Sequence, residues 1–341
     1  MTTRHDRHQG GTVVTLERRV AALLAVMLGL LLPAQVFAQS QPFPTRLVRL
    51  VVPQAAGGTT DVLARAIGDR LSRRWNQPVI VENVVGAAGN IGTASVAKAA
   101  PDGHTLLVTY EGSQAINPHL YPNQPFDSVR DFQPVATLAR AGFYVIASPQ
   151  LPARDLRALI VLARTRKDPL NYATSGVGSV NHIIGEMLKS EAQINMVHVA
   201  HRGIAQAITN ISGGHVEAGI AAVPSVIGQV QDGVVRAIAV TSAVRTSVTP
   251  DVPTVAESGL PGFDVNPWWG ILGPAGLDSA LVAKINRDVG EILGEPDMRD
   301  FMAKIGAEPY PTSPEAFRTM LKGDVERWGR IVAATGARPE K

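Results

Sequence analysis

Two glycine-containing loops in the sequence have the composition of an anion-binding turn. The stretch PQAAGGTTD begins at Pro53, the stretch NYATSGVGSVNH begins at Asn171, and each contains or follows the end of an apolar, strand-like run. In both, glycines lead into hydroxyl residues that open a helical pattern, so unpaired backbone N–H groups and the positive helix end would face one point. Such a turn suits a carboxylate or a phosphate.

A purely structural role is the alternative for either loop alone, because Thr60 or Ser179 could simply cap its own helix. The two loops lie about 120 residues apart, in what read as different lobes of the chain. Two such turns facing each other would hold an anion from both sides. The pair therefore favours an anion site over two independent helix caps.

A third glycine-rich stretch carries Gly86, Gly89 and Gly92, with Glu111 about twenty residues beyond. A dinucleotide-binding fingerprint needs its first glycine directly at the end of the first buried strand. Here polar residues separate strand and glycine, and another strand-like run comes earlier in the chain. We predict a turn whose glycines permit positive φ and close packing, and no cofactor.

Histidines in the second half of the chain raise the question of a metal site. The candidate ligands are His182, Glu186, His198, His201 and His215. His198 lies on a strand pattern and His182 on a helix pattern, so we predict structural or pocket roles and no bound metal.

No catalytic nucleophile is predicted. The chain has no cysteine, which excludes a thiolate, a disulfide framework and a cysteine-based metal site. The run ATSGVG lacks the glycine that a nucleophile elbow needs two residues before its serine, so Thr174 and Ser175 are predicted anion donors. Trp268 and Trp269 lie in a segment rich in proline and glycine, 243–275, which is predicted to cross between lobes; there they either roof a cleft or pack in a core.

Short apolar runs alternate with helical patterns, which indicates an α/β fold with parallel sheets. Loops at the carboxyl ends of such strands form the edge where ligands bind. Residues 59–75 have Leu63, Ile67, Leu71 and Trp75 on one helical face. Strands are predicted at RLVRLVVP, PVIVE, HTLLVTY, FYVIASP, LNYAT, NMVHVA, VEAGIAA and VRAIAV.

The first 38 residues have the pattern of an export signal. Arg18 and Arg19 precede an uncharged apolar run from Val20 to Leu32, and Ala38 ends a small-residue cleavage site. The run is shorter than the roughly 20 apolar residues of a membrane-spanning helix. We therefore predict a signal peptide, residues 1–38, cleaved after Ala38, and a periplasmic protein; Sec and Tat export both stay open.

Length and charge fit a globular protein of about two domains. The chain has 341 residues, 45% of them hydrophobic, which is enough for substantial cores. Without the four arginines and two acidic residues of the predicted signal peptide, 28 basic and 27 acidic residues remain. This near neutrality gives no reason to expect nucleic acid as a partner.

A series of motifs runs along the mature chain into its C-terminal region: RLVVPQAAGGTTDVLAR, VENVVGAAGNIGTASVAKAAPDGHTLL, AINPHLYP, DFQPVA, NYATSGVGSVNH, RAIAVTSAVRTSVTPDVPTVAESGLPGF, WWGILGPAG and EPDMRDFMAKIGAEPYPTSPEAF. In this order they resemble the successive signatures of the Bug family, the TctC-like periplasmic receptors of tripartite tricarboxylate transporters. The resemblance is much more specific than any one glycine motif.

The resemblance implies a two-lobed, type II-like periplasmic binding protein fold of the α/β class that closes on a small carboxylate between its lobes. Lobe 1 would comprise residues 43–148 plus 268–341, and lobe 2 residues 149–267. Backbone amides and hydroxyls would hold the ligand, with bridging water. The resemblance maps this site onto Ala55, Ala56, Gly57, Gly58, Asp61, Thr174, Ser175, Gly176, Gly178 and Ser179.

Ser113 and His201 complete the predicted site. Ser113 follows the TLLVTYEG strand, and His201 stands, after Ala200, where the family usually has a tyrosine preceded by proline. An imidazole thus replaces a common pocket-side hydroxyl. Asp61 is expected to orient the first helix turn rather than touch the ligand, because like charges repel.

Ala221 and Ala222 occupy positions where family members often carry Asp and Asn. An ammonium group on the ligand would lose a carboxylate partner there. We therefore expect a carboxylate without an amine; citrate-like, aliphatic dicarboxylate and aromatic carboxylate ligands all stay open.

Two classes of function follow. The first is a monomeric solute receptor without cofactor, which delivers its carboxylate to the membrane permease subunits of a tripartite transporter or reports it to a sensor protein. The second is an exported α/β enzyme acting on a small carboxylate, since a fold alone does not fix function. A receptor binds its ligand stoichiometrically and returns it unchanged.

Overall fold

The computed structural model describes residues 1–3, 43–121 and 123–335, with only the backbone described for residue 335. Residues from Phe43 onward form one compact unit, and the fold below is the fold of that unit. The predicted signal peptide lies, apart from residues 1–3, outside the described residues. No described helix is long and apolar enough to span a bilayer.

Strands and helices alternate along the described chain, and the eight predicted strands and the first predicted helix are confirmed. The strands are β1 (Val48–Val52), β2 (Val79–Asn83), β3 (Thr105–Tyr110), β4 (Phe132–Arg140), β5 (Phe143–Ala147), β6 (Leu170–Thr174), β7 (Met196–Ala200), β8 (Ala218–Ala222), β9 (Arg236–Val240), β10 (Trp268–Pro274) and β11 (Glu308–Pro309). The helices are α1 (Thr59–Trp75), α2 (Asn90–Ala97), α3 (Asn117–Leu120), α4 (Leu156–Thr165), α5 (Val180–Ala192), α6 (Ile204–Ser212), α7 (Val223–Gln231), α8 (Ser279–Gly294), α9 (Pro296–Lys304) and α10 (Pro314–Thr335).

The first sheet has the strand order β11-β4-β10-β3-β1-β2. β1 pairs in parallel with β2 and β3, whereas β10 runs antiparallel to β3 and β4. The predicted parallel pairing is thus present between β1, β2 and β3, but the sheet as a whole is mixed. The chain returns to it at the edge where β3 ends, so β10 must run in the opposite direction.

The second sheet has the order β7-β6-β8-β5-β9. β6 is parallel to β7 and β8, and β5 is antiparallel to β8 and β9, so this sheet is mixed as well. A division of the chain along its sheets would fall before Phe143, because β5 pairs here, rather than after residue 148. The lobe boundaries themselves stay a prediction.

Three strands, β4, β10 and the two-residue β11, were not predicted from the sequence. Pro134 interrupts the first, and Gly270 and Gly273 interrupt the second, in positions where a strand pattern normally shows β-branched or aromatic residues. β10 occupies part of the segment predicted as an extended crossing, and residues 243–263 form mostly turns and bends. In the sheet, β10 lies between β3 and β4.

The apolar face of α1 is buried as its spacing predicts. Each fully buried Leu or Ile contributes about 1.5–3 kcal/mol of transfer free energy. Asn76 ends the helix in a left-handed conformation, φ 49°. The indole of Trp75 donates to Asp288 of α8 at 2.7 Å, which fixes the two helices to each other. The buried residues of the predicted face are Leu63, Ile67, Leu71 and Trp75.

Two chain segments cross between the sheets side by side. The N–H of Ala141 donates to the carbonyl of Pro267 at 3.3 Å. Thr241 receives a hydrogen bond from the N–H of Val265 at 2.9 Å and donates its hydroxyl to the Val265 carbonyl at 2.7 Å. β5 and β10 begin directly after these crossings. Their first residues therefore lie near the carboxyl ends of the parallel strands in the two sheets.

Candidate ligand-binding site

A cavity of about 790 Å³ lies at the carboxyl ends of the parallel strands of both sheets. Its size is typical of a small-molecule site, and its place is the edge that the sequence predicts. One wall consists of the loop after β1 and the turn after β2. The other consists of the loop after β6, the turn after β7 and the start of α7.

The loop after β1 presents the start of α1 to the cavity. Ala55, Ala56 and Gly58 line it, together with Thr59 and Thr60. Gly58 precedes the helix and makes no side-chain cap, so the N–H groups of the first turn have no partner within the helix. The hydroxyl of buried Thr59 has no partner among the described residues either.

Asp61 holds this loop in shape. Its carboxylate accepts hydrogen bonds from the N–H of Gly57 at 2.9 Å, from Arg65 and from Asn83 at 3.0 Å. Burial alone would raise the pKa of Asp61, but these hydrogen bonds outweigh it and lower the pKa. Asp61 therefore remains charged and faces the protein, which fits the orienting role expected for it.

The loop after β6 presents the start of α5 from the opposite side. Ser175, Gly176, Gly178 and Ser179 line the cavity. Ser179 caps the helix: its hydroxyl accepts from the N–H of His182 at 3.3 Å and donates to the Gly176 carbonyl at 2.7 Å. Two glycines with positive φ, 136° at Gly176 and 76° at Gly178, allow the loop to fold back on itself.

A pair of stacked imidazoles supports this second loop from behind. The rings of His182 and His198 lie 4.0 Å apart. The N–H of Gly178 donates to Nδ1 of His182 at 3.1 Å, and the Thr174 hydroxyl lies 2.6 Å from Nε2 of His198. Within the described ranges, no three His, Asp or Glu side chains are arranged to hold a metal ion. Both histidines have structural contacts.

Five predicted site residues do not line the cavity. Gly57 is engaged by Asp61, which itself faces Arg65. Ser113 lies in the buried π-helical turn Gly112–Ile116 and accepts from the amide of Gln54 at 2.8 Å. Thr174 is fully buried behind its loop and His201 lies beside the cavity. The other seven predicted residues, three in the first loop and four in the second, do line it.

Aromatic side chains that the sequence left open or missed form the floor. Trp269 lines the cavity and donates from its indole to Thr60 at 3.1 Å. It stacks with Tyr110 at 6.0 Å and Phe143 at 6.5 Å between ring centroids. Trp268 points the other way, against Phe317. Trp269 thus lines the cavity, and Trp268 packs in a core.

The glycine run after β2 forms a turn with positive φ and close packing, as predicted. Gly86 and Gly89 have φ of 130° and 91° and line the cavity. A Cβ built on Gly92 would lie 2.5 Å from the carbonyl of Val84, so a side chain there would clash with the backbone. The turn shapes the cavity wall by close packing.

Arg202 is the one charged side chain among the described residues that line the cavity, and no acidic side chain is present there. Ala222, where family members often carry Asn, lies in the wall, whereas Ala221, where they often carry Asp, is buried and is not among the described residues that line the cavity. The electrostatics of the cavity therefore favour an anion. Arg202 belongs to the Arg-Gly pair of the HVAHRG run, which matches the Arg-Gly or Lys-Gly of the family, but it was not predicted as a site residue.

Comparison with known proteins agrees with this geometry. Residues 63–337 match the TctC family, the tripartite tricarboxylate transporter family receptors. A solved structure of R. palustris Rpa4515 with adipate is 33% identical, with a TM-score of 0.84 over 87% of this chain and 100% of that one. The periplasmic binding protein BugD is 31% identical, with a TM-score of 0.82 over 87% of this chain and 100% of its own.

A third solved structure, MatC from Rhodopseudomonas palustris with bound malate, is 33% identical and has a TM-score of 0.79 over 85% of this chain and 100% of that one. The predicted α/β, periplasmic binding protein fold is confirmed by these similarities. The solved relatives are binding proteins. The chain belongs to the family of tripartite tricarboxylate transporter receptors.

Proposed function

We propose that this protein is a periplasmic solute receptor that binds a small carboxylate in the cavity between its two sheets. The observation that carries the proposal is the pair of helix starts, those of α1 and α5, which border one cavity from opposite walls. Each presents backbone N–H groups with no partner inside its helix, and these favour an anion. The similar proteins Rpa4515 and MatC bind adipate and malate, which supports a carboxylate.

The proposed carboxylate contacts come from both loops. On the first wall they are the backbone of Ala55, Ala56 and Gly58 and, in addition to the predicted residues, the hydroxyl of Thr59. On the second wall they are Ser175, Gly176, Gly178 and Ser179. Water can bridge the remaining distance, since a cavity of about 790 Å³ exceeds what a small acid fills.

The proposed cellular role is uptake or sensing. Family membership supports export to the periplasm, with residues 1–38 as a signal peptide cleaved after Ala38. The partners would be the membrane permease subunits of a tripartite transporter, or a sensor protein that reads the loaded receptor. We propose a monomer in solution.

The alternative of an exported enzyme is less well supported. The hydroxyls of Thr174 and Ser179 are engaged with their own loop, and neither stacked histidine is among the described residues that line the cavity. The described lining side chains thus offer binding groups without a nucleophile–base pair. NMR spectra of the ligand, recorded over hours with an equal amount of protein, distinguish the two classes. A receptor leaves the ligand unchanged, whereas an enzyme converts it.

Thermal unfolding tests the proposed function directly. The purified protein is melted with mono-, di-, tri- and aromatic carboxylates, with sugars and amino acids as controls. A ligand that binds only the native state stabilises it by RT ln(1 + [L]/Kd), about 2.7 kcal/mol at a hundredfold excess over Kd. We expect the melting temperature to rise with one class of carboxylate. A rise with sugars alone, or with none of the acids, would contradict the proposal.

A further inference from the structure

The charge of the cavity carries an inference that deepens the proposed function and rests on it. Among the described lining residues, Arg202 alone is charged. Both helix starts also contribute positive potential. A single carboxylate at the helix starts would leave the guanidinium without a counter-charge.

The Arg202 side chain has no protein partner. Within residues 43–121 and 123–335, its guanidinium makes no hydrogen bond, ion pair or ring contact, and only its backbone N–H is engaged, by Gln206 at 3.2 Å. Arg65 and Arg49, by contrast, pair with Asp61 and Glu82. The cavity thus borders an exposed cation whose donors are all available.

The backbone around Arg202 is fixed between the two carboxylate loops. The N–H of His201 donates to the Thr174 carbonyl at 3.2 Å, which joins the turn to the second loop. On the other side, a Cβ built on Gly203 would lie 3.8 Å from the Cβ of Ala55 in the first loop. Arg202 therefore starts from a backbone position that both loops border, lines the cavity and is exposed.

We propose that Arg202 binds a second anionic group of the ligand, so that the receptor selects acids with two anionic ends and rejects those with an ammonium group at the far end. A guanidinium offers paired N–H donors that match a carboxylate in a two-point hydrogen bond. Apolar walls from Val85, Phe143 and Trp269 suit the carbon skeleton between the two ends.

The test compares ligands that differ only at the far end. Each dicarboxylate from succinate to suberate, and terephthalate, is measured by calorimetry beside its monomethyl ester and the amino acid of matching length. The wild type is expected to bind its best di-acid at least roughly tenfold more tightly than the corresponding ester, because a hydrogen bond between charged groups is lost in the ester. The amino acid is expected to bind more weakly still.

Variants assign the effect to the side chain. Arg202→Gln is expected to lower the affinity for the di-acid roughly tenfold to hundredfold and to leave the affinity for the ester unchanged. Arg202→Lys keeps the charge but loses the paired donors. Its affinity for the di-acid is expected to lie between those of the wild type and Arg202→Gln. Arg154→Gln removes an exposed arginine that lies away from the cavity, and it should change neither affinity.

The outcomes separate this inference from the proposed function. If esters and di-acids bind equally well, or if Arg202→Gln weakens both by the same factor, the inference is wrong and the carboxylate receptor stands. If Arg202→Gln changes nothing, the guanidinium does not touch the ligand. If no carboxylate binds at all, the proposed function fails, and this inference fails with it.

Discussion

Thr59 and Thr174 show how far a sequence can identify a donor hydroxyl. Both lie in a predicted anion loop, Thr174 as the last residue of β6 and Thr59 as the first residue of α1. Thr174 is fully buried and held by the imidazole of His198, whereas Thr59 is a cavity-lining residue whose buried hydroxyl has no partner among the described residues. The loops were predictable from local composition. Which of the two hydroxyls is unpaired was not predictable, because the histidine that engages Thr174 lies on a different strand, β7.

The variant Thr59→Val removes the hydroxyl and keeps the shape of the side chain. The affinity for the best-binding carboxylate is expected to fall roughly tenfold, since a hydrogen bond to a charged group is lost. Stability without ligand should stay the same or rise slightly, because an unpaired buried hydroxyl is removed. Calorimetry and thermal unfolding measure the two effects.

Thr209→Val is the matched control, since the Thr209 hydroxyl bonds to the carbonyl of Ala205 on an exposed part of α6. Its ligand affinity should equal that of the wild type. Equal affinity of Thr59→Val and the wild type would exclude the Thr59 hydroxyl as a ligand donor. A large loss of stability in Thr59→Val would mean that the hydroxyl supports the fold.

At the scale of elements, β7 and α5 position the second loop through the stacked histidines. Burial lowers the pKa of His198 to about 4, and the nearby charges of His182, Lys189 and His201 lower it as well, against an opposing effect of Glu186. His198 is therefore neutral near pH 7. A second proton on this imidazole would place a charge beside His182 inside the stack.

The lowered pKa of His198 determines how stability changes with pH. The unfolded histidine has a pKa near 6.5, and the folded His198 protonates only near pH 4. The unfolded chain thus binds more protons between these values, so stability is complete above about pH 6.5 and is lost as the pH falls towards 4. Because the ring is partly exposed, we expect a loss of about 1–2 kcal/mol.

Urea unfolding from pH 7 to pH 4 measures this effect. His198→Asn should be less stable than the wild type at pH 7 and should lose less stability on acidification. His215→Asn, which changes an exposed histidine, should keep the slope of the wild type. A wild-type slope in His198→Asn would mean that other groups cause the acid sensitivity.

The predicted and missed strands follow one physical rule. β6, β7 and β9 are short apolar runs bounded by turn residues, so local composition predicts them. β10 has two glycines and is stabilised by pairing with β3 and β4 on both sides. Tertiary pairing overrides local preference there, and with β10 the sequence analysis also missed the antiparallel direction that brings Trp269 to the cavity.

At the scale of the whole molecule, the two walls of the cavity touch each other. The hydroxyl of Tyr121, which follows α3, donates to the Val177 carbonyl in the second loop at 3.1 Å. Gly203 approaches Ala55 from the second wall as well. A ligand held by both helix starts would stabilise this arrangement. The stabilisation would equal the difference in binding free energy between contact with both walls and contact with one wall.

The order of motifs along the chain was enough to predict the family, the fold and both loops. The cavity floor and Arg202 depend on how strands from the two sheets meet, and no local pattern contains that information. The absence of an amine on the ligand was predicted from Ala221 and Ala222, and Ala222 does lie in the wall. It stays a prediction, which the amino acid arm of the calorimetry tests.

The central claim is that one carboxylate is held by two opposed helix starts, and a crystal structure of the purified protein with its best-binding carboxylate tests it most directly. We predict carboxylate oxygens within hydrogen-bonding distance, directly or through one water, of backbone N–H groups at the starts of both α1 and α5. A ligand bound to one helix start only, or outside this cavity, would contradict the account.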